Sequence, residues 1–115
     1  MHANDTRGRA AARSLRPRLD GGVHLPGDGQ YEVERLGWNR TIDSTPAVIA
    51  AATSPEDVRV ALVVARELDL PLAVQATGHG SVVACDEGFL LKTTAMAEVR
   101  IDPEHRLARV GPGAT

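Results

Sequence analysis

The clearest alternation of apolar and polar positions begins at Pro46. Ala47–Ala52 is an unbroken apolar run of strand length, the pattern of a strand buried on both faces. Ser54-Pro55-Glu56-Asp57 follows with helix-start signals: Ser54 as cap, Pro55 in the first turn, Asp57 in a capping-box-like position. Val58, Ala61, Leu62, Ala65 and Leu68 then recur at helical spacing, with Arg59, Arg66 and Glu67 off that face. Pro71 ends the helix, and Leu72–Gln75 is a second strand. Strand, helix and strand within ~30 residues form a βαβ unit, which predicts parallel strands. Gly88–Leu91 is a third strand, and Thr93–Ala97 is a turn. Val99–Ile101 and Leu107–Val110 are short strands joined through Asp102-Pro103-Glu104-His105 as a hairpin.

Upstream of Pro46 the periodicity fades. Residues 1–20 are polar and Ala/Arg-rich and are expected to be a mobile tail, with one helical turn at Ser14–Leu19. Residues 21–42 carry two turn signals, Pro26-Gly27 and Asp28-Gly29, and form an ordered lead-in, with Trp38 expected beneath the domain. Residues 43–115 are the folded domain, and the fold class is α/β (α+β).

Composition narrows the function classes. The chain has 115 residues, 43% of them hydrophobic, which suits one small domain with a modest core. With one Trp, one Tyr and one Phe, that core is built from Val, Leu, Ile and Ala. A net charge of −2 argues against a dedicated nucleic-acid binder. No apolar run approaches the ~20 residues that span a bilayer. The arginine-rich start has no apolar stretch of the kind a secretory signal needs. The single cysteine, Cys85, excludes an internal disulfide and fits a reducing, cytoplasmic setting.

Candidate chemistry gathers after the second strand. Gln75-Ala76-Thr77-Gly78-His79-Gly80 is a loop of small residues around one histidine. Such loops let a backbone approach a ligand, and their N–H groups can cradle phosphate. The same loop also fits a tight turn that needs glycine for its geometry. It matches neither a dinucleotide-binding Gly-x-Gly-x-x-Gly followed by a helix nor a Gly-Lys-Ser/Thr phosphate loop. His79 is open to roles as base, ligand or nucleophile, or to simple solvation. His2, His24, His79 and His105 lack close metal-ligand spacing, and no metal site is assigned. Cys85 is flanked by Asp86 and Glu87, whose charge raises a thiol pKa, so it reads as an unreactive, partly buried thiol. Thr93-Thr94 either offers hydroxyls to a ligand or caps the turn before Met96. Gly111-Pro112-Gly113-Ala114-Thr115 is a second small-residue loop, either a ligand contact or a flexible end.

In order along the chain, several short pieces fall into one register. They are Pro26-Gly27-Asp28 with Tyr31, Trp38-Asn39, Pro46-Ala47-Val48-Ile49, Ser54-Pro55-Glu56-Asp57-Val58 and Pro71-Leu72-Ala73-Val74. Thr77-Gly78-His79-Gly80, Met96 with Val99, Ile101-Asp102, and Ala108-Arg109-Val110-Gly111 with Gly113-Ala114 complete them. This order resembles the N-terminal part of the berberine-bridge-enzyme-like, FAD-linked oxidoreductases of the vanillyl-alcohol-oxidase type, which share a PCMH-type FAD-binding domain. The resemblance runs from about residue 20 to the end and implies the first lobe of that domain: a βαβ unit and short strands, incomplete.

The resemblance implies FAD as cofactor. Ala76, Thr77, Gly78 and Gly80 would line its pyrophosphate, with Thr94, Gly111 and Gly113 as further contacts. His79 would be the covalent attachment point, a neutral imidazole nitrogen attacking an electrophilic form of the flavin at the methyl carbon of its benzenoid ring. An imidazole's reference pKa of about 6.5 leaves a large neutral fraction at pH 7. The family loop is often Arg-Ser/Gly-Gly-Gly-His, where this chain has Gln75-Ala76-Thr77-Gly78-His79; Asp86-Glu87-Gly88 stands where Asp-Gly-Gly is frequent. The cysteine that carries a second flavin link in some relatives lies beyond the equivalent of Thr115, so Cys85 does not correspond to it. No catalytic residue is assigned, because the base and the substrate pocket are expected from a second lobe and a substrate domain. The implied reaction is hydride transfer from an alcohol or amine carbon to flavin. The alternatives are a truncated, non-catalytic fragment that needs a second chain, and a phosphate-binding module without flavin.

Overall fold

The computed structural model describes residues 3–81 and 83–115. Helix α1 (Ala3–Leu15) leads into strand β1 (Val23–His24), a single helical turn α2 (Tyr31–Glu34) and strand β2 (Val48–Ala51). Helix α3 (Pro55–Glu67) and strands β3 (Leu72–Gln75), β4 (Phe89–Lys92), β5 (Val99–Asp102) and β6 (Leu107–Val110) follow. The first four strands form one sheet in the order β1-β2-β4-β3, and β5 and β6 form a separate antiparallel hairpin.

The strands of the βαβ unit are parallel, but β4 lies between them: it pairs with β2 through Ile49–Leu90 and with β3 through Ala73–Leu90. Strand β4 is buried at all four positions, as a central parallel strand must be. Its side chains alternate between two layers. Phe89 and Leu91 join Val48, Ala50 and the helical residues Leu15, Val60 and Val64 on one face; Leu90 joins Ile49 and Tyr31 on the other. The Tyr31 hydroxyl donates to the Pro46 carbonyl at 2.7 Å, and burial pushes its pKa up to about 12.

Three expectations change. Residues 3–15 form a helix rather than a mobile tail, because Ala11, Ala12 and Leu15 give this Arg-rich segment a fully apolar face against α3 and β2. The buried face of α3 is Val60, Ala61, Val64 and Ala65, whereas Leu62 is largely exposed; Val58 and Leu68 only flank the core. Trp38 is not beneath the domain but 69% exposed.

The ends of α3 have a clear chemistry. Ser54 caps it by accepting from the Asp57 amide at 3.2 Å. The Asp57 carboxylate does not return to Ser54 as a capping box would; it accepts from Thr53 and from the Asp20 and Gly21 amides. The helix stops before Pro71. Asp69 turns left-handed (φ 53), Leu70 donates to the Ala65 carbonyl at 2.9 Å and Asp69 to that of Arg66 at 3.2 Å. That pair of bonds is a Schellman motif.

Candidate functional site

Strands β2, β4 and β3 are parallel and in register, with Ala51, Lys92 and Gln75 side by side at their carboxyl ends. Three loops therefore leave the sheet together: 52–54 into α3, 93–98 after β4, and 76–80 after β3. The carboxyl edge of a parallel sheet is where such folds place ligands. The loops are tied to one another. The Ala52 amide donates to the Lys92 carbonyl at 2.9 Å, the Thr93 amide to that of Gln75 at 3.0 Å, and the Thr94 hydroxyl to that of Ala76 at 3.1 Å.

The loop Ala76–Gly80 is backed by the lead-in segment. The Trp38 amide donates to the Thr77 carbonyl at 2.6 Å. Gly78 has φ +81, and a Cβ there would stand 2.9 Å from the Gly37 Cα, so glycine is required on both counts. Gly80 faces the other way, and a Cβ built on it meets nothing within 4 Å. Among the described residues, the amides of Ala76, Thr77, Gly78, His79 and Gly80 donate to no protein acceptor. Beneath the loop, Gln75 Nε2 is buried without a hydrogen-bond partner. Lys92, at the equivalent position of β4, is buried and donates to the Glu34 carbonyl at 3.1 Å.

His79 is exposed; its Nδ1 lies 2.7 Å from the Thr77 hydroxyl, and its ring sits 5.2 Å from the Trp38 indole at an interplanar angle of 57°. Sequence reasoning assigned no site role to Trp38. Its aromatic bulk suggested core, and the proximity of Trp38 to Thr77 across 39 positions has no signature in the local pattern.

The remaining predicted contacts sit one loop away. Gly113 lies against Thr93 and Thr94, where a Cβ would stand 2.3 Å from both carbonyl oxygens, and its amide donates to the Met96 carbonyl at 2.9 Å. The Gly111 amide donates to the Glu98 carbonyl at 2.8 Å. The chain's end thus forms a second layer on the 93–98 loop, and Thr94, through Ala76, links it to the histidine loop. Cys85 is partly buried, and burial first, then the charge of Asp86, raises its thiol pKa. Its amide donates to the Ser44 hydroxyl at 3.0 Å.

The groups around residues 74–81 suit an anion: free backbone N–H groups from Ala76 to Gly80 and no carboxylate among them. A pyrophosphate-bearing cofactor fits them, with room at Gly80 for close backbone approach.

Comparison with known proteins agrees. Residues 46–115 match the family described as an FAD binding domain. An FAD-linked oxidoreductase of Dictyostelium discoideum is 31% identical over 98 residues, covering 84% of this chain and 22% of that protein. Berberine bridge enzyme-like 2 of Arabidopsis thaliana is 29% identical over 87 residues, covering 72% of this chain and 16% of its own length. Among solved structures, a glucooligosaccharide oxidase of Acremonium strictum, described as showing a novel flavinylation, superposes with a TM-score of 0.73 at 21% identity, over 90% of this chain and 22% of that one. The chain thus spans about a fifth of the length of such proteins. No helix among the described residues is long and apolar enough to cross a membrane. With sequence family and fold in agreement, this chain belongs to the FAD binding domain family and is similar to the corresponding part of FAD-linked oxidoreductases.

Proposed function

We propose that the loop Ala76–Gly80 holds the pyrophosphate of FAD, that Thr94, Gly111 and Gly113 support it from the neighbouring loop, and that His79 is the point of covalent attachment. The observation that carries this reading is the row of five amides, Ala76 to Gly80, with no protein acceptor among the described residues, at the carboxyl end of a parallel strand. Gly78, pressed against Gly37, fixes the turn. His79 is exposed, so its ring is open to a ligand on the loop.

When bound, FAD supplies an acceptor for hydride, here from an alcohol or amine carbon. The residues of this chain bind and orient it. Catalysis depends on positioning the flavin ring against its substrate, and we assign the wall over that ring and the substrate pocket to a second lobe and a substrate domain outside these 115 residues. The purified chain, precipitated with acid after expression, tests the attachment. A yellow pellet that turns colourless in His79→Ala is the expected result. A pellet equally yellow in both proteins removes His79 from that role, and a wild-type pellet without colour removes covalent attachment in this chain.

A further inference from the structure

We propose that Thr77 and Trp38 are positioning residues for His79, holding its imidazole in one orientation with the proton on Nε2 and the lone pair on Nδ1. The proposal rests on the assignment of His79 as the attachment point. An exposed loop histidine ordinarily samples several rotamers and both neutral tautomers. Two contacts restrict this one.

The first is the Thr77 hydroxyl, 2.7 Å from Nδ1. A hydroxyl has one proton to donate, and among the described residues His79 Nδ1 is the only acceptor recorded for this one. The contact is compatible with either tautomer; we assign the hydroxyl as donor and Nδ1 as acceptor, which puts the ring proton on Nε2. Thr77 is itself fixed, because its carbonyl accepts from the Trp38 amide at 2.6 Å. Gly78, with φ +81, turns the chain between the two side chains.

The second contact is the Trp38 indole, 5.2 Å from the imidazole and tilted by 57°. This ring is 69% exposed and belongs to neither core cluster. The packing of a large, solvent-facing aromatic against His79 has no counterpart in core stability. It does restrict the histidine, since aromatic pairs favour tilted arrangements at such separations. The same segment thus supplies a backbone donor that pins Thr77 and a ring that pins His79.

The test uses the flavin-free, ¹⁵N-labelled chain at about pH 8.5, where imidazoles are neutral. Long-range ¹H–¹⁵N correlations read the two ring nitrogens of His79 directly. We expect an unprotonated Nδ1 and a protonated Nε2 in the wild type. In Thr77→Val both shifts move toward the averaged values of a free imidazole, and Thr77→Ser restores them. In Trp38→Ala the tautomer persists while the ring-current displacement of the His79 carbon-bound protons disappears. Amide spectra away from residues 37–39 and 76–80 report that each variant folds. A protonated Nδ1 in the wild type, or ring-nitrogen shifts unchanged in Thr77→Val, overturns the role of Thr77. Unchanged His79 proton shifts in Trp38→Ala overturn that of Trp38. The acid-pellet experiment on His79→Ala is independent of these spectra, so failure of the attachment and failure of the positioning are told apart.

Discussion

Four hydrogen-bond donors converge on the buried Asp57 carboxylate: the amides of Asp20, Gly21 and Thr53 and the Thr53 hydroxyl, at 3.0 to 3.3 Å. Burial on its own raises the pKa of such a group, but these bonds outweigh it and hold Asp57 below the usual carboxylate range. A depressed folded-state value adds stability that is complete above the unfolded pKa and is lost as pH falls through the folded one. We expect Asp57→Asn to cost about 1–3 kcal/mol at neutral pH and to flatten the acid limb of stability. Urea denaturation at neutral and acidic pH measures both, and an unchanged acid limb contradicts this role. The sequence marks Asp57 as a helix-start residue. Its second task, joining the lead-in at Asp20–Gly21 to α3, depends on contacts 36 and 37 positions away and is invisible in a local pattern. Trp38 fails for a related reason: apolarity measures the gain from burial, while burial itself depends on which elements are near enough to cover the ring.

Helix α3 shows how much of an element the pattern carries. Its start at Ser54-Pro55 is written in the chain, because capping and a fixed φ are local chemistry. Its buried face is shifted relative to the expected one, since Val60 and Val64 meet both α1 and the sheet, and α1 was not expected as an element. Its end is a left-handed Asp69 rather than Pro71. A left-handed L-residue is strained, and glycine is not. Asp69→Gly is therefore expected to stabilise the domain by up to about 1 kcal/mol, read as a higher thermal midpoint. The bond from Arg7 to the Asp69 carbonyl is to the backbone and survives the change. A lower midpoint contradicts the reading of the helix end. Strand β1 and helix α2 escaped sequence reasoning because two and four residues hold no measurable period.

At the scale of the molecule, the hairpin stands apart from the four-stranded sheet, and the chain measures 56 × 33 × 24 Å. Its register places Val99 opposite Val110 and Ile101 opposite Ala108 on one face, and Arg100 opposite Arg109 on the other. Val99, Ile101 and Val110 on the apolar face are each more than half exposed. Contiguous exposed apolar surface drives association. The isolated chain is expected to self-associate with rising concentration, and Ile101→Lys to sediment as a monomer under the same conditions; equal behaviour of the two removes this face as the cause. The loop Gln75–Gly80, its histidine and the order of the flanking motifs were legible in the sequence, because small residues and spacing are local. The stacking of Gly113 on Thr93–Thr94 and the bracket around His79 were not, because they arise where separate loops meet at one sheet edge.

The central claim is that the free amides of Ala76–Gly80 bind the pyrophosphate of FAD. Titrating the ¹⁵N-labelled chain with FAD, with ADP and with riboflavin, while following its amide signals, tests it most directly. The account predicts that FAD and ADP shift the Ala76–Gly80 signals in common, and that riboflavin, which lacks the pyrophosphate, leaves them in place. Amides of Ala76–Gly80 that stay unmoved by FAD and ADP, or that move equally with riboflavin, would contradict it.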